Sequence, residues 1–168
     1  MFKLTFKGGV HPGDGKALTK EVHIHRLRPA GEMVYPMQQH IGKPAKPIVA
    51  VGERVLARQK IAEADGFVSV PVYASVSGVV KAIEPRMTVS GKPVLSVVVE
   101  NDGKYEEAPK LPVLEPGNDA AWRKTLLDRI AEAGIVGMGG ACFPTHVKLS
   151  PKDPEQIDYV IVNGAECE

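Results

Sequence analysis

Cysteine is scarce in this chain, and its scarcity already excludes several architectures. Two cysteines, Cys142 and Cys167, are too few for a disulfide framework or for a four-thiolate metal site. Nothing marks them as a bridge, so both are expected to be free thiols. An excess of charge of one sign is also missing. The formal net charge of +1 and the scattered Lys and Arg residues leave no footprint for nucleic acid. No apolar run approaches the roughly 18 residues that would suggest a membrane span. The start, Met1-Phe-Lys-Leu-Thr-Phe-Lys7, lacks the apolar core of a secretory signal. A cytoplasmic location is the default expectation. What remains is ordinary: 168 residues, 43% hydrophobic and 24% charged, enough for one domain or two small ones.

Residues 1–20 are glycine-rich and irregular, with Gly8-Gly9 and His11-Pro-Gly-Asp-Gly15. They read as an N-terminal arm or as a flexible leader. Glu21-Val-His-Ile-His25 alternates, which predicts a strand with His23 and His25 on one face. Two histidines at that spacing suit a metal or a solvated face. No third ligand is evident, which favours the solvated face and no metal site. Met37-Gln-Gln-His-Ile-Gly42 suggests one helical turn capped by glycine.

From Ile48 to Val99 the pattern is one of short strands and tight turns. Val51-Gly-Glu-Arg-Val-Leu-Ala-Arg-Gln-Lys-Ile61 and Ala74-Ser-Val-Ser-Gly-Val-Val-Lys-Ala-Ile83 resemble the two halves of lipoyl- and biotinyl-type barrel-sandwich domains. Those carriers expose a modified lysine at a hairpin tip. The corresponding interval here, Glu63-Ala-Asp-Gly-Phe-Val-Ser-Val-Pro71, holds no lysine, so a swinging-arm role is not expected and a structural or docking role is. Lys92 to Glu100 is the clearest strand, closed by the turn residues Asn101-Asp102-Gly103.

Pro109, Pro112 and Pro116 then fall within a polar stretch and exclude helix, which marks a linker over 105–117. Asn118 or Asp119 can cap a helix running to about Ala133, with Leu126, Leu127 and Ile130 at helical spacing and Gly134 placed to end it. Trp122 is expected where this helix meets another surface. Gly134, Gly137, Gly139 and Gly140 follow within seven residues. Clustered glycines let another molecule approach the main chain and free successive N–H groups to face an anion. The apolar run Val160 to Val162, ending at Asn163-Gly164, reads as a buried parallel strand delivering a site at its carboxyl end. A tight helix-to-strand turn accounts for the same glycines without any ligand.

Two strings sharpen this. Gly137-Met-Gly-Gly-Ala-Cys-Phe-Pro-Thr-His-Val-Lys148 and Asn163-Gly-Ala-Glu-Cys-Glu168 resemble the start of the flavin domain of the RnfC family, which belongs to Rnf-type membrane electron transport complexes. Phe6-Lys-Gly-Gly-Val-His-Pro12, with Lys16 and Thr19, is similar to the start of that family. A more distant likeness is to the flavin-bearing subunit of respiratory complex I. The resemblance implies an α+β chain: an arm over 1–20, a barrel-sandwich hybrid β domain over 21–104, the linker 105–117, and over 118–168 the truncated beginning of an α/β FMN- and NADH-binding domain.

By the same resemblance, Gly137, Gly139 and Gly140 lie along FMN, and Phe143 lines a nicotinamide pocket. Lys148 supplies positive charge to the reduced ring, Asn163 and Glu166 contact ribityl and ring, and Glu168 faces the dinucleotide. Cys142 stands where the family usually has glycine; its side chain either crowds the flavin or sits at the outer face of the loop. Ala165 replaces an acid of the complex I relatives.

The function implied is that of an N-terminal fragment of a protein passing electrons between NADH, FMN and [4Fe-4S] clusters. Such a protein works with other Rnf-type subunits on the inner face of the cell membrane. Clusters need about four thiolates each, which two cysteines cannot supply. The fragment itself is expected to bind neither FMN nor NADH tightly and to be inactive. The rival reading is a non-catalytic docking module of a multi-subunit complex.

Overall fold

The computed structural model describes residue 13, residues 15–29 and residues 31–161. Seven strands form two antiparallel sheets. One sheet has the order β1-β7-β6-β3, from Glu32–Pro36 (β1), Arg54–Val55 (β3), Gly78–Met87 (β6) and Pro93–Asn101 (β7). The other has the order β2-β4-β5, from Lys46–Pro47 (β2), Lys60–Glu63 (β4) and Val72–Tyr73 (β5). The barrel-sandwich expectation holds.

One core draws on both sheets. Val55, Val80, Val97 and Val99 come from the larger sheet, Ile61, Ala62 and Val72 from the smaller, and Met37, Ala45, Val49, Ala74 and Val76 from the connections. These side chains are mostly small and β-branched, which suits a thin sandwich of short strands. Tyr35 is the core aromatic, and its hydroxyl accepts the Ser75 N–H at 2.9 Å and hydrogen-bonds the Ser75 hydroxyl at 2.9 Å. The centre of the fold is the β6–β7 ladder. Gly78 starts it, paired with Asn101; a Cβ there would lie 1.9 Å from the Glu100 carbonyl oxygen. Only glycine lets the two backbones approach so closely.

Three expectations are corrected. Residues 21–25 form a turn and irregular chain with Ile24 fully exposed, not a strand. Alternation makes a strand only where an edge accepts it, and none of the described residues pairs with this stretch. Residues 37–42 are a bend instead of a helical turn: Ala45 N–H bonds the Met37 carbonyl at 2.9 Å and the Gln38 amide bonds the Gly42 carbonyl at 3.2 Å. Those bonds take the place of an i→i−4 ladder. Residues 157–161 are irregular and exposed without a pairing partner among the described residues, so the expected parallel strand is not formed there. Val162 to Glu168, with the second motif and Cys167, lie outside the described residues, as do the first twelve.

Past β7, the Asn101 side chain caps the Gly103 N–H at 3.0 Å and Asp102 caps the Lys104 N–H at 2.9 Å. The proline-rich stretch begins along the barrel, with Ala57 N–H bonded to the Glu106 carbonyl and Ala108 N–H to the Ala57 carbonyl, both at 2.8 Å. Arg54 bridges Asp102 at 3.0 Å and Glu106 at 2.9 Å. Helix α1 (Ala120–Glu132) starts at Asp119, whose side chain accepts the Trp122 N–H at 2.7 Å. Trp122 itself folds back to bond the Glu115 carbonyl at 2.7 Å.

Candidate functional site

The site is built where α1 ends against the barrel. Gly134 (φ 68) turns the chain in the left-handed region, its N–H bonding Ala131 O at 3.0 Å while Ile135 N–H bonds Ile130 O at 3.2 Å. This is the double-bonded helix stop that glycine favours. A second constraint falls on the same residue, because a Cβ there would lie 2.8 Å from the Pro71 carbonyl at the start of β5. Helix end and barrel touch at this backbone.

Two side chains reinforce the contact. The Tyr73 hydroxyl donates to the Glu132 carbonyl, and Lys60 Nζ lies 2.6 Å from Glu132 Oε1. Partial burial, followed by the nearby Glu132 charge, pushes the Tyr73 phenol up to about 12, so it stays a neutral donor at physiological pH.

The glycine loop leaves this anchor as a closed turn. Val136 pairs antiparallel with Pro144, Gly137 N–H bonds the Phe143 carbonyl at 2.9 Å, and Cys142 N–H bonds the Gly139 carbonyl at 2.9 Å. Buried Pro144 then starts a one-turn helix, α2 (Thr145–Lys148), fastened by Thr145 N–H to the Ile135 carbonyl at 3.0 Å. The turn brings three of the sequence-predicted residues together. Lys148 reaches back over the loop, so that a Cβ on Gly137 would sit 2.4 Å from its ammonium nitrogen, and Phe143 supplies the carbonyl that closes the turn. Gly139 and Gly140 stand at the open tip with nothing within 4 Å of an added Cβ and no left-handed φ. The N–H groups of Met138, Gly139, Gly140 and Ala141 carry no hydrogen bond among the described residues, and Met138 is 99% exposed.

Asn163, Glu166 and Glu168, the remaining sequence-predicted residues, lie outside the described residues. Cys142 is a free, half-buried thiol with φ 45, its Sγ 3.5 Å from the Gly139 carbonyl. That backbone region suits glycine, which is the residue the resemblance places there. Against the barrel, the loop is held by Ile41 N–H to the Ala141 carbonyl at 3.1 Å. The loop and the barrel share two cavities. One, of about 470 Å³, is lined by Tyr35, His40 and Val72 on one side and by Gly134, Val136 and Cys142 on the other. The other, of about 790 Å³, runs from Val34, Ile41 and Val89 to Gly140 and Cys142.

Sequence reasoning missed the seam itself: Tyr73, Glu132 and Lys60, and also His146, whose Nε2 lies 3.0 Å from the Phe67 carbonyl. Only His146 carried any signal, by standing inside the quoted motif.

Chemically, the loop presents four free N–H groups, side-chain-free backbone at its tip and one cation. Those features match two requirements of a flavin nucleotide, donors for its phosphate and polarity at the ring edge.

Comparison with known proteins follows the same division of the chain. The profile described as the RnfC barrel sandwich hybrid domain matches residues 4–104. That of the Nuo51 FMN-binding domain matches residues 130–168. The chain is 47% identical over 98% of its length to the C subunit of the Na(+)-translocating ferredoxin:NAD(+) oxidoreductase complex of Acetobacterium woodii, covering 37% of that protein. It is 43% identical over 98% of its length to the proton-translocating counterpart of Clostridium ljungdahlii, covering 36%. It is also 40% identical to the C subunit of the ion-translocating oxidoreductase complex of Rhodobacter capsulatus, covering 32%. The chain thus spans about a third of the length of these relatives.

Proposed function

This chain belongs to the RnfC family, and from that premise we propose that it forms part of an electron-transfer protein in which the loop 137–143 lies along FMN. That protein passes electrons between a dinucleotide, FMN and iron–sulfur clusters, and it works with other subunits of an Rnf-type complex. FMN, when bound, supplies the exchange between two-electron and one-electron chemistry. With two cysteines in the whole chain, the thiolates of any [4Fe-4S] cluster come from elsewhere in the complex. No helix among the described residues is long and apolar enough to cross a membrane. Attachment to the inner face of the membrane through partner subunits is part of the same proposal.

The observation that carries this reading is the tip of the loop. Gly139 and Gly140 need to be glycine for no reason of fold: their φ values are ordinary and an added Cβ meets nothing. Bare backbone there suits the close approach of a bound molecule, and the N–H groups from Met138 to Ala141 carry no hydrogen bond among the described residues. Lys148 holds a positive charge against Gly137, where it favours the anionic reduced ring. Phe143 lines the neighbouring nicotinamide pocket, and Asn163, Glu166 and Glu168 complete the polar contacts to ribityl, ring and dinucleotide.

The test is substitution at the tip in the assembled complex. Gly139→Val and Gly140→Val are expected to leave thermal stability unchanged and to weaken FMN binding at least about tenfold, the equivalent of 1.4 kcal/mol. Full flavin occupancy with unchanged affinity in both variants would defeat the proposal.

A further inference from the structure

The turn joining β4 to β5, residues 64–71, reaches across the seam to a single side chain of α2, His146. The turn is braced by its own residues and by Lys43 and Lys46 beside it. Asp65 pairs with Lys43 at 2.8 Å and Lys46 at 3.1 Å, its N–H bonds Ser69 Oγ at 3.1 Å, and Lys43 N–H bonds the Val68 carbonyl at 3.0 Å. At its tip the Phe67 carbonyl lies 3.0 Å from His146 Nε2, and the two rings meet edge to face at 6.0 Å and 88°.

A carbonyl only accepts, so Nε2 is the donor in this bond. Nδ1 is buried and has no partner among the described residues. A buried nitrogen without a partner is unfavourable, so a hydrocarbon of the same shape would pack here at less cost. The imidazole is therefore accounted for by what Nε2 does.

What Nε2 fastens is a helix that cannot orient itself. One turn lies far below the roughly 12 residues at which an isolated helix becomes even marginal. The direction of α2 is set by its external ties: Thr145 N–H to Ile135 at one end, packing against α1, and His146 to Phe67 on the barrel side. Lys148 is two residues further on, and its ammonium group covers Gly137. We propose that His146 is a positioning residue: by bonding the barrel turn at Phe67 it fixes α2, and so the place of the Lys148 charge over the glycine loop. The turn that in carrier domains presents a lysine serves in this chain as a clamp. The consequence for the flavin rests on the function proposed above; the mechanical role does not.

Two measurements keep the claims apart. Amide hydrogen exchange in this chain reads the clamp without any flavin. His146→Phe keeps the ring contact and removes the donor. It should speed exchange at Gly137 and Thr145 about fivefold to tenfold, the worth of one hydrogen bond, while the barrel amides of Val80 and Val97 stay unchanged. His146→Gln restores an N–H at the Nε2 position and should return both amides close to wild type. If the Phe variant does not fold, His146→Leu replaces it. In the assembled complex the Phe variant should bind FMN several-fold more weakly and lower its midpoint potential, and Gln should rescue both.

Loop amides that ignore His146→Phe, a Gln variant that fails to rescue, or barrel amides that rise together with the loop would each overturn the clamp. A wild-type complex without FMN, combined with the expected exchange pattern, would uphold the clamp and sink the flavin reading alone.

Discussion

Gly134→Ala tests whether the barrel truly positions the glycine loop. Two penalties meet at this residue. Alanine in the left-handed region costs about 1–2 kcal/mol relative to the right-handed one. The added Cβ also falls 2.8 Å from the Pro71 carbonyl, a backbone atom that cannot swing aside. Relief requires α1 to move off β5, which breaks the Tyr73 to Glu132 bond and opens the Lys60–Glu132 pair. One such hydrogen bond contributes about 1 kcal/mol. Against this, alanine restricts the unfolded chain and returns about 0.4–1 kcal/mol. The net expectation is a loss of about 1–2.5 kcal/mol confined to the seam.

Trp122, the single tryptophan, reports α1 by fluorescence, whereas urea-dependent hydrogen exchange at the buried β7 residues Val97 and Val99 reports the barrel. At a urea slope near 2 kcal/mol/M, the fluorescence midpoint should fall by roughly 1 M. The barrel midpoint should move much less. Gly139→Ala is the internal control, since nothing lies within 4 Å of its Cβ. If Gly134→Ala shifts the fluorescence midpoint no more than Gly139→Ala does, the account of the seam is wrong.

Other outcomes follow from the same structure. Gly78→Ala drives a Cβ to 1.9 Å from the Glu100 carbonyl within the central ladder, so the barrel should lose about 3 kcal/mol or fail to fold, as read by thermal melting; a melting point within a few degrees of wild type would contradict the β6–β7 register. Cys142→Gly relieves a left-handed φ of 45 and should not destabilise the chain, with a gain of up to about 1 kcal/mol in urea titration; a loss would show that thiol packing outweighs backbone strain. Tyr73 titrates near 12 when folded, above its ordinary value of 10, so its neutral form stabilises the seam fully below pH 10 and this contribution fades as pH rises towards 12. Trp122 fluorescence should therefore show an alkaline loosening that Tyr73→Phe removes, and an unaltered alkaline profile in that variant would refute the assignment.

Where the sequence was legible, a local rule agreed with a global one. The valines of 93–101 read as a strand because they are β-branched, and they form β7 because edges wait on both sides of it, β1 and β6. Asp119 and Gly134 bound a helix by capping chemistry that acts within a few residues, and α1 ends where those signals stand. Residues 21–25 alternate just as well yet make no strand, since pairing is a property of the edge that receives them and not of the pattern.

The candidate site divides along the same line. Gly137, Phe143 and Lys148 stand out in the motif, and a closed turn of twelve residues suffices to bring them together. The seam that holds the turn was invisible. It consists of contacts such as Tyr73 to the Glu132 carbonyl, Ile41 to the Ala141 carbonyl and His146 to the Phe67 carbonyl, each between residues far apart in the chain. Every acceptor in that set is a backbone carbonyl, which all residue types carry alike. The side chains at 67, 132 and 141 do not make these bonds, although the Glu132 carboxylate also pairs with Lys60 and the Phe67 ring meets His146. A seam of this kind leaves its mark on the side chains that donate or pair across it and on the glycines that permit close approach, Gly134 above all. Its demands therefore fall on Tyr73, His146 and Gly134, on the Lys60–Glu132 pair and on the Phe67 ring, whereas a substitution at Ala141 should be tolerated wherever the backbone path is kept.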